Sequence, residues 1–186
     1  AWRAAGLGEH RVSINMATTK FVAPTFLEDL EACLLRHRVS PSLLELEITE
    51  SLAMVNPDVA IERMQQLRDK QVELAIDDFG TGYSNLSYLS RFPATRLKID
   101  QRFVRTMLHS KQDWALVATI VELARSLNIR TVAEGVETLA QAQGLYQMGV
   151  HEMQGYWVSK PLAPSLLISN LTQPVLFDPE QLKARA

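Results

Sequence analysis

Cysteine is nearly absent from this chain of 186 residues, and Cys33 is the single one. No internal disulfide is possible, which fits a reducing compartment. Its place in "FLEDLEACLLRHR", with Leu27, Leu30 and Leu34 at helical spacing, predicts a core position on the apolar face of a helix. Long hydrophobic runs are also lacking. No stretch reaches the roughly 18 apolar residues of a membrane span, and the opening "AWRAAGLGEHR" has no signal-peptide core. The expected location is therefore cytoplasmic, with no membrane contact from this segment. Nor is there an excess of positive charge: 19 Lys and Arg stand against 21 Asp and Glu, scattered without a basic block. That excludes the electrostatic footprint of a nucleic-acid binder.

What is present is ordinary for a globular fold, 47% hydrophobic and 22% charged. Short apolar runs alternate with helical patterns. The runs are "RVSIN" (11–15), "LLELEI" (43–48), "VELAID" (72–77), "RLKID" (96–100), "RTVAE" (130–134) and "HEMQGYW" (151–157). Between them lie "PTFLEDLEACLLRHR", "PDVAIERMQQLRDK", "QDWALVATIVELARSLN" and "LAQAQGLYQM". This β-α repetition predicts a parallel sheet with covering helices and no linker that splits it.

Side chains alternate between the two faces of a strand. One face collects Val12 and Ile14, Leu44 and Leu46, Leu74 and Ile76, Leu97 and Ile99, which should pack against helices. The other collects Ser13 and Asn15, Glu45 and Glu47, Ala75 and Asp77, Lys98 and Asp100, Val132 and Glu134. Polar groups at the ends of five successive strands predict a TIM-like (β/α) barrel, whose site lies at the strands' C-terminal ends. An open doubly wound sheet would gather its site at one switch point instead. Only six of the eight strands of such a barrel are visible, so the fold class expected is an incomplete α/β barrel. "AWRAAGLG" reads as the end of a helix whose beginning would precede residue 1.

Asn15, Glu47, Asp77 and Asp78 form a hard, oxygen-rich set suited to Mg²⁺, Mn²⁺ or Ca²⁺. Uncompensated carboxylates converging in one mouth would destabilise the fold, which favours a metal site over strand-end caps or ion pairs. Lys98 reads either as the partner of a buried carboxylate or as a group that polarises a phosphate or positions water. Glu134, followed by Gly135, is a candidate general base or a further metal ligand. His10, His37, His109 and His151 show no metal-ligand spacing. "FGTG" is not a phosphate loop, since neither GxGxxG nor GxxxxGK occurs, and the companion motifs of kinases are absent. Its glycines suit a loop that repositions over the site. The methionines of "SLAMVNPDVAIERMQQL" read as core. From the residues alone, an enolase-like barrel with a lysine base is a further reading.

The segments "VSIN", "LELEITES", "LAIDDFGTGYSNLSYL", "LKIDQRFV", "TVAEGVET" and "MQGYWVSKPL" occur in the order found in the EAL family, the cyclic di-GMP phosphodiesterases of bacterial signalling. On these residues the chain resembles that family over nearly its whole length, and residues 1–186 read as one EAL-type domain. The resemblance implies that Asn15, Glu47 and Asp77 bind a metal, and that Asp77 bridges to a second ion also held by Asp78. Lys98 and Glu134 would handle the attacking water, with Gln154 positioning water or metal. Glu50 would anchor the "DFGTGYS" loop, and Asp100 and Glu137 are further site candidates. Two Mg²⁺ or Mn²⁺ ions would then open cyclic di-GMP to linear pGpG.

The alternative is an inactive EAL domain serving as a cyclic di-GMP sensor or interaction module. By the same resemblance the chain would dimerise near the "DDFGTGYSN" loop. A sensor, GGDEF or membrane segment would precede residue 1. Three departures from the family pattern stand out: Ala17 and Asn85 replace serines, and the Glu-Ala-Leu motif with its nearby arginine is expected before residue 1. With two strands lacking, the isolated chain is expected to be poorly soluble, oligomeric or inactive.

Overall fold

A computed structural model describes residues 10–81, 86–171 and Leu182. The expectations for "AWRAAGLG", for Asn85 and for a capping helix after residue 171 lie outside the described residues. The chain forms two compact units, one from Arg11 to Leu97 and one built from Lys98 onward.

In the first unit the elements are β1 (Val12–Asn15), α1 (Thr18–Phe21), α2 (Phe26–His37), a 3₁₀ turn (Pro41–Leu43), β2 (Leu44–Thr49), α3 (Glu50–Val55), α4 (Pro57–Asp69), β3 (Glu73–Phe79) and α5 (Leu86–Leu89). Strands β1, β2 and β3 are parallel neighbours. The strand β4 (Arg96–Ile99) carries the chain into the second unit, which contains α6 (Gln101–Thr106), α7 (Lys111–Ser126), β5 (Arg130–Ala133), α8 (Leu139–Met148), β6 (Glu152–Met153) and α9 (Pro164–Leu171). There β5 and β6 are parallel, and the Glu134 N–H reaches the Ile99 carbonyl at 3.1 Å. Among the described residues, six strands, each followed by a helix, give the α/β succession of an incomplete TIM-like barrel.

The alternation read from the sequence sets the core. Leu44, Leu46, Ile48, Leu74, Ile76, Leu97 and Ile99 are all buried, and Met64 and Leu67 of α4 join the interior. Two expectations do not hold. Val12 and Ile14 are 43% and 48% exposed, because every residue of β1 lies open to solvent at the edge of the β1-β2-β3 set. Cys33 is exposed as well, because α2 buries only Phe26 fully, so helical spacing overstated how much of its face is covered. The sixth strand is also shorter than its apolar run, for a reason found at Gly155 below. Ala17, at the N-cap of α1, provides no side-chain cap.

One surface network has a direct consequence for acid stability. Burial raises the pKa of the Glu73 carboxyl, but the Thr95 hydroxyl at 2.7 Å and the Arg68 guanidinium at 2.9 Å outweigh it and hold the group below the ordinary glutamate range. A depressed folded value stabilises the fold above the unfolded pKa and loses that contribution as pH falls through the folded one. Urea titrations should therefore show wild type ahead of Glu73→Gln by about 0.5–1 kcal/mol at pH 7. The gap should close between about pH 5 and pH 3, spanning the ordinary glutamate pKa. A gap that widens on acidification would contradict this assignment.

Candidate active site

The parallel register of β1, β2 and β3 determines what stands together in the first unit. Asn15 pairs with Glu47, and Thr49, two residues beyond Glu47 on the same face of β2, pairs with Asp77, so polar residues near the C-terminal ends of three neighbouring strands stand together. Glu47 and Asp77 are 8% and 7% exposed. The Asn15 amide faces both: its nearer polar atom lies 3.2 Å from Asp77 Oδ2 and 3.1 Å from Glu47 Oε2. With nitrogen inward, the amide donates to both carboxylates. With oxygen inward, three oxygens meet that only a cation can hold together. An octahedron of oxygens about 2.1 Å from a small divalent ion has edges of roughly 3.0 Å, so these spacings and this donor chemistry fit such an ion.

Asp78 follows with φ of 54°, a left-handed conformation that Asp tolerates better than most residues. Its N–H donates to Asp77 Oδ1 at 3.0 Å, and its carbonyl accepts from the Thr81 hydroxyl at 2.9 Å. Side-chain alternation is thereby broken where the two aspartates adjoin. Glu50 is the first residue of α3, just after Thr49, whose hydroxyl caps the helix by accepting from the Leu52 N–H. It is 2% exposed, and its Oε2 accepts from the Gly80 N–H at 3.0 Å. A buried carboxylate thus holds the backbone immediately after Phe79.

The second unit brings together another group. Lys98 Nζ lies 2.7 Å from Glu134 Oε1, the lysine side chain 6% and the glutamate side chain 19% exposed. The Gln154 N–H donates to the Ala133 carbonyl at 2.8 Å, which sets the exposed Gln154 one step beyond β6 and beside the end of β5. A cavity of about 300 Å³ is lined by Gln101, Arg105, Glu134, Glu137, Gln154 and Tyr156 among others. Glu137 faces Arg105 at 3.6 Å. Asp100 serves the structure by capping α6, its Oδ1 accepting from the Arg102 N–H at 2.7 Å.

Sequence reasoning passed over Gln141. Its Oε1 accepts from the N–H groups of Glu137 and Thr138, at 2.8 and 3.0 Å, while its Nε2 donates to the Val104 carbonyl at 3.2 Å. Buried at 6% exposure, it fastens the Glu134–Glu137 loop to α6. The signal was available as the capping box Thr138-x-x-Gln141 opening α8.

Known proteins are similar to this chain in sequence and fold. The chain belongs to the EAL domain family, which residues 1–161 match. It is 39% identical over 170 residues to the bifunctional diguanylate cyclase/cyclic di-GMP phosphodiesterase MucR of Pseudomonas aeruginosa, covering 91% of this chain and 25% of that protein. The solved PaMucR phosphodiesterase in complex with c-di-GMP superposes with a TM-score of 0.86 at 40% identity, covering 89% of this chain and 67% of that one. Klebsiella pneumoniae BlrP1, solved with manganese and c-di-GMP at pH 9.0, gives a TM-score of 0.77 at 35% identity over 86% of this chain and 41% of its own. The chain spans about a quarter of the length of the curated relatives it matches. Among the described residues, no helix is long and apolar enough to cross a membrane.

Proposed function

We propose that this chain forms the larger part of a cyclic di-GMP phosphodiesterase domain, a single EAL-type unit of function over residues 1–186 that opens the cyclic dinucleotide to linear pGpG. The observation that carries this reading is the convergence of Asn15, Glu47 and Asp77, whose polar atoms lie 3.1–3.2 Å apart around the Asn15 amide. Its weight comes from family membership and from relatives named as cyclic di-GMP phosphodiesterases.

In this reading Asn15, Glu47, Asp77 and Asp78 hold two Mg²⁺ or Mn²⁺ ions. Bound there, the ions neutralise phosphate charge and lower the pKa of water, so that a nucleophile is available near neutral pH. The chain's own groups do the rest. Glu134 accepts the proton of the attacking water. Lys98, 2.7 Å away, holds that carboxylate in one orientation. Gln154 orients the water with its side-chain amide. Water's oxygen adds to phosphorus, one ester P–O bond breaks, and a proton passes to the leaving ribose oxygen.

Glu50 holds the backbone at Gly80 and so fixes the end of the strand that carries both aspartates. Glu137 lines the same cavity as Glu134 and Gln154, while Asp100 contributes by capping α6. We place the domain in the cytoplasm of a bacterial signalling protein, with a sensor or GGDEF domain elsewhere in the parent and a homodimer as the working assembly.

The test is chromatography of the nucleotides after incubating the chain, and a version carrying its native upstream residues, with cyclic di-GMP and Mg²⁺ or Mn²⁺. Linear pGpG that disappears on adding a chelator is the expected result. Tight binding of cyclic di-GMP without any pGpG from either protein would overturn the enzyme in favour of a sensor.

A further inference from the structure

A second polar layer lies one step below the proposed metal ligands in the first unit. Ser13 and Glu45 are register partners, two residues before Asn15 and Glu47 on the same strands. Glu45 is 5% exposed. Its Oε1 accepts from the Ser13 hydroxyl at 2.8 Å, and its Oε2 meets the Arg96 guanidinium, with Arg11 Nη1 4.0 Å away. The guanidinium is itself largely buried, its side chain 12% exposed. Withdrawing a carboxylate from water is costly unless charge and hydrogen bonds offset it, and once so satisfied the group is confined to one geometry.

The strand that needs confinement is β1. It has four residues, all exposed, and Asn15 is the last of them. A slip of one residue would turn Asn15 to the opposite face, away from Glu47. In most half-buried strands the apolar face prevents such a slip. Here Val12 and Ile14 are 43% and 48% exposed, so the hydrophobic preference for one register is weak. The Ser13–Glu45 hydrogen bond can form only in the register that also sets Asn15 against Glu47.

We propose that Ser13 and Glu45, the latter held by Arg96, are positioning residues that lock β1 so that Asn15 completes the cation site. The inference rests on the metal reading above and deepens it. Residues that orient metal ligands without touching the ion typically change affinity by about 10- to 100-fold when replaced. The exposed position of Ser13 places this case at the lower end.

Mn²⁺ binding, followed by the electron paramagnetic resonance of the free ion, tests it without reference to turnover. Ser13→Ala should weaken Mn²⁺ by about tenfold, and Glu45→Gln by at least as much. Ser13→Thr, which keeps the hydroxyl, should bind within about twofold of wild type. Because Ser13 is exposed, its two variants keep the test intact even where Glu45→Gln fails to fold. Unchanged affinity in Ser13→Ala, or an equal loss in Ser13→Thr, overturns the lock. Asp77→Asn separates the two levels. Wild-type Mn²⁺ binding that Asp77→Asn leaves untouched overturns the metal reading and the lock together, whereas binding lost in Asp77→Asn but retained in Ser13→Ala overturns the lock alone.

Discussion

Gly155→Ala should destabilise the fold by about 3 kcal/mol or more, since it combines backbone strain with overpacking against main chain. A Cβ built at Gly155 would lie 2.2 Å from the Val136 carbonyl oxygen and 2.3 Å from the Val136 nitrogen. Neither atom belongs to a side chain that could swing aside, and both are engaged. The Val136 N–H donates to the Gln154 carbonyl at 3.0 Å, and the Val136 carbonyl accepts from the Trp157 N–H at 2.9 Å. Gly155 also has φ of 156°, at the margin of what other residues adopt. This close passage ends β6 after Met153: past Gln154 the chain must turn around Val136, and no apolar pattern can extend the strand through it. On a fold of this size the loss amounts to roughly 6–12 °C in melting temperature.

Gly149→Ala supplies the comparison. Gly149 has φ of 86° at the C-cap of α8, but its added Cβ would meet Arg125 Nη2 at 2.7 Å, the far end of a flexible side chain. The expected cost there is about 1 kcal/mol, that of a left-handed conformation in a residue bearing a Cβ. A thermal series in which Gly149→Ala proves the more damaging would refute the reading of β6.

These glycines mark where sequence patterns stop being informative. The positions of β1 to β5 could be read to within two residues, because alternation and helical spacing report which face is buried. The polar face was equally legible: Asn15, Glu47, Asp77 and Lys98 stand where strand parity put them, since period-two geometry leaves little freedom.

What parity could not report is depth and partnership. Glu45 and Arg96 belong to the same face as Glu47 and Lys98, yet only the folded chain shows that they bond to each other. Nor does a helical stripe disclose how far it is covered, so Cys33 could be assigned to a face but not to the interior. The capping role of Asp100 was hidden by its place at the end of an apparently functional strand; it is the N-cap one residue before a helix. The Gly155 passage depends on a backbone 19 residues away in sequence, a contact invisible to any local pattern.

Asp77→Asn should abolish the proposed hydrolysis, by about 10³-fold or more, while leaving the fold in place. The amide has the same shape, and its oxygen can still accept the Asp78 N–H that now lies 3.0 Å from Oδ1. What disappears is a full negative charge in a site 7% exposed, where the low local dielectric magnifies its attraction for a cation. A thousandfold loss corresponds to about 4 kcal/mol of transition-state stabilisation, within the range expected when an electrostatic contribution inside an active site is removed.

Rate alone would not separate a lost cation from a disturbed backbone, so the decisive measurement is thermal. A cation that binds only the folded chain stabilises it by about 2.7 kcal/mol at a hundred times its dissociation constant. Wild type should accordingly gain roughly 5–10 °C in saturating Mn²⁺. Asp77→Asn should gain almost nothing at the same concentration, although its metal-free circular dichroism matches wild type. Equal Mn²⁺-induced shifts in the two proteins would place the ion elsewhere and leave the convergence of Asn15, Glu47 and Asp77 without its proposed purpose.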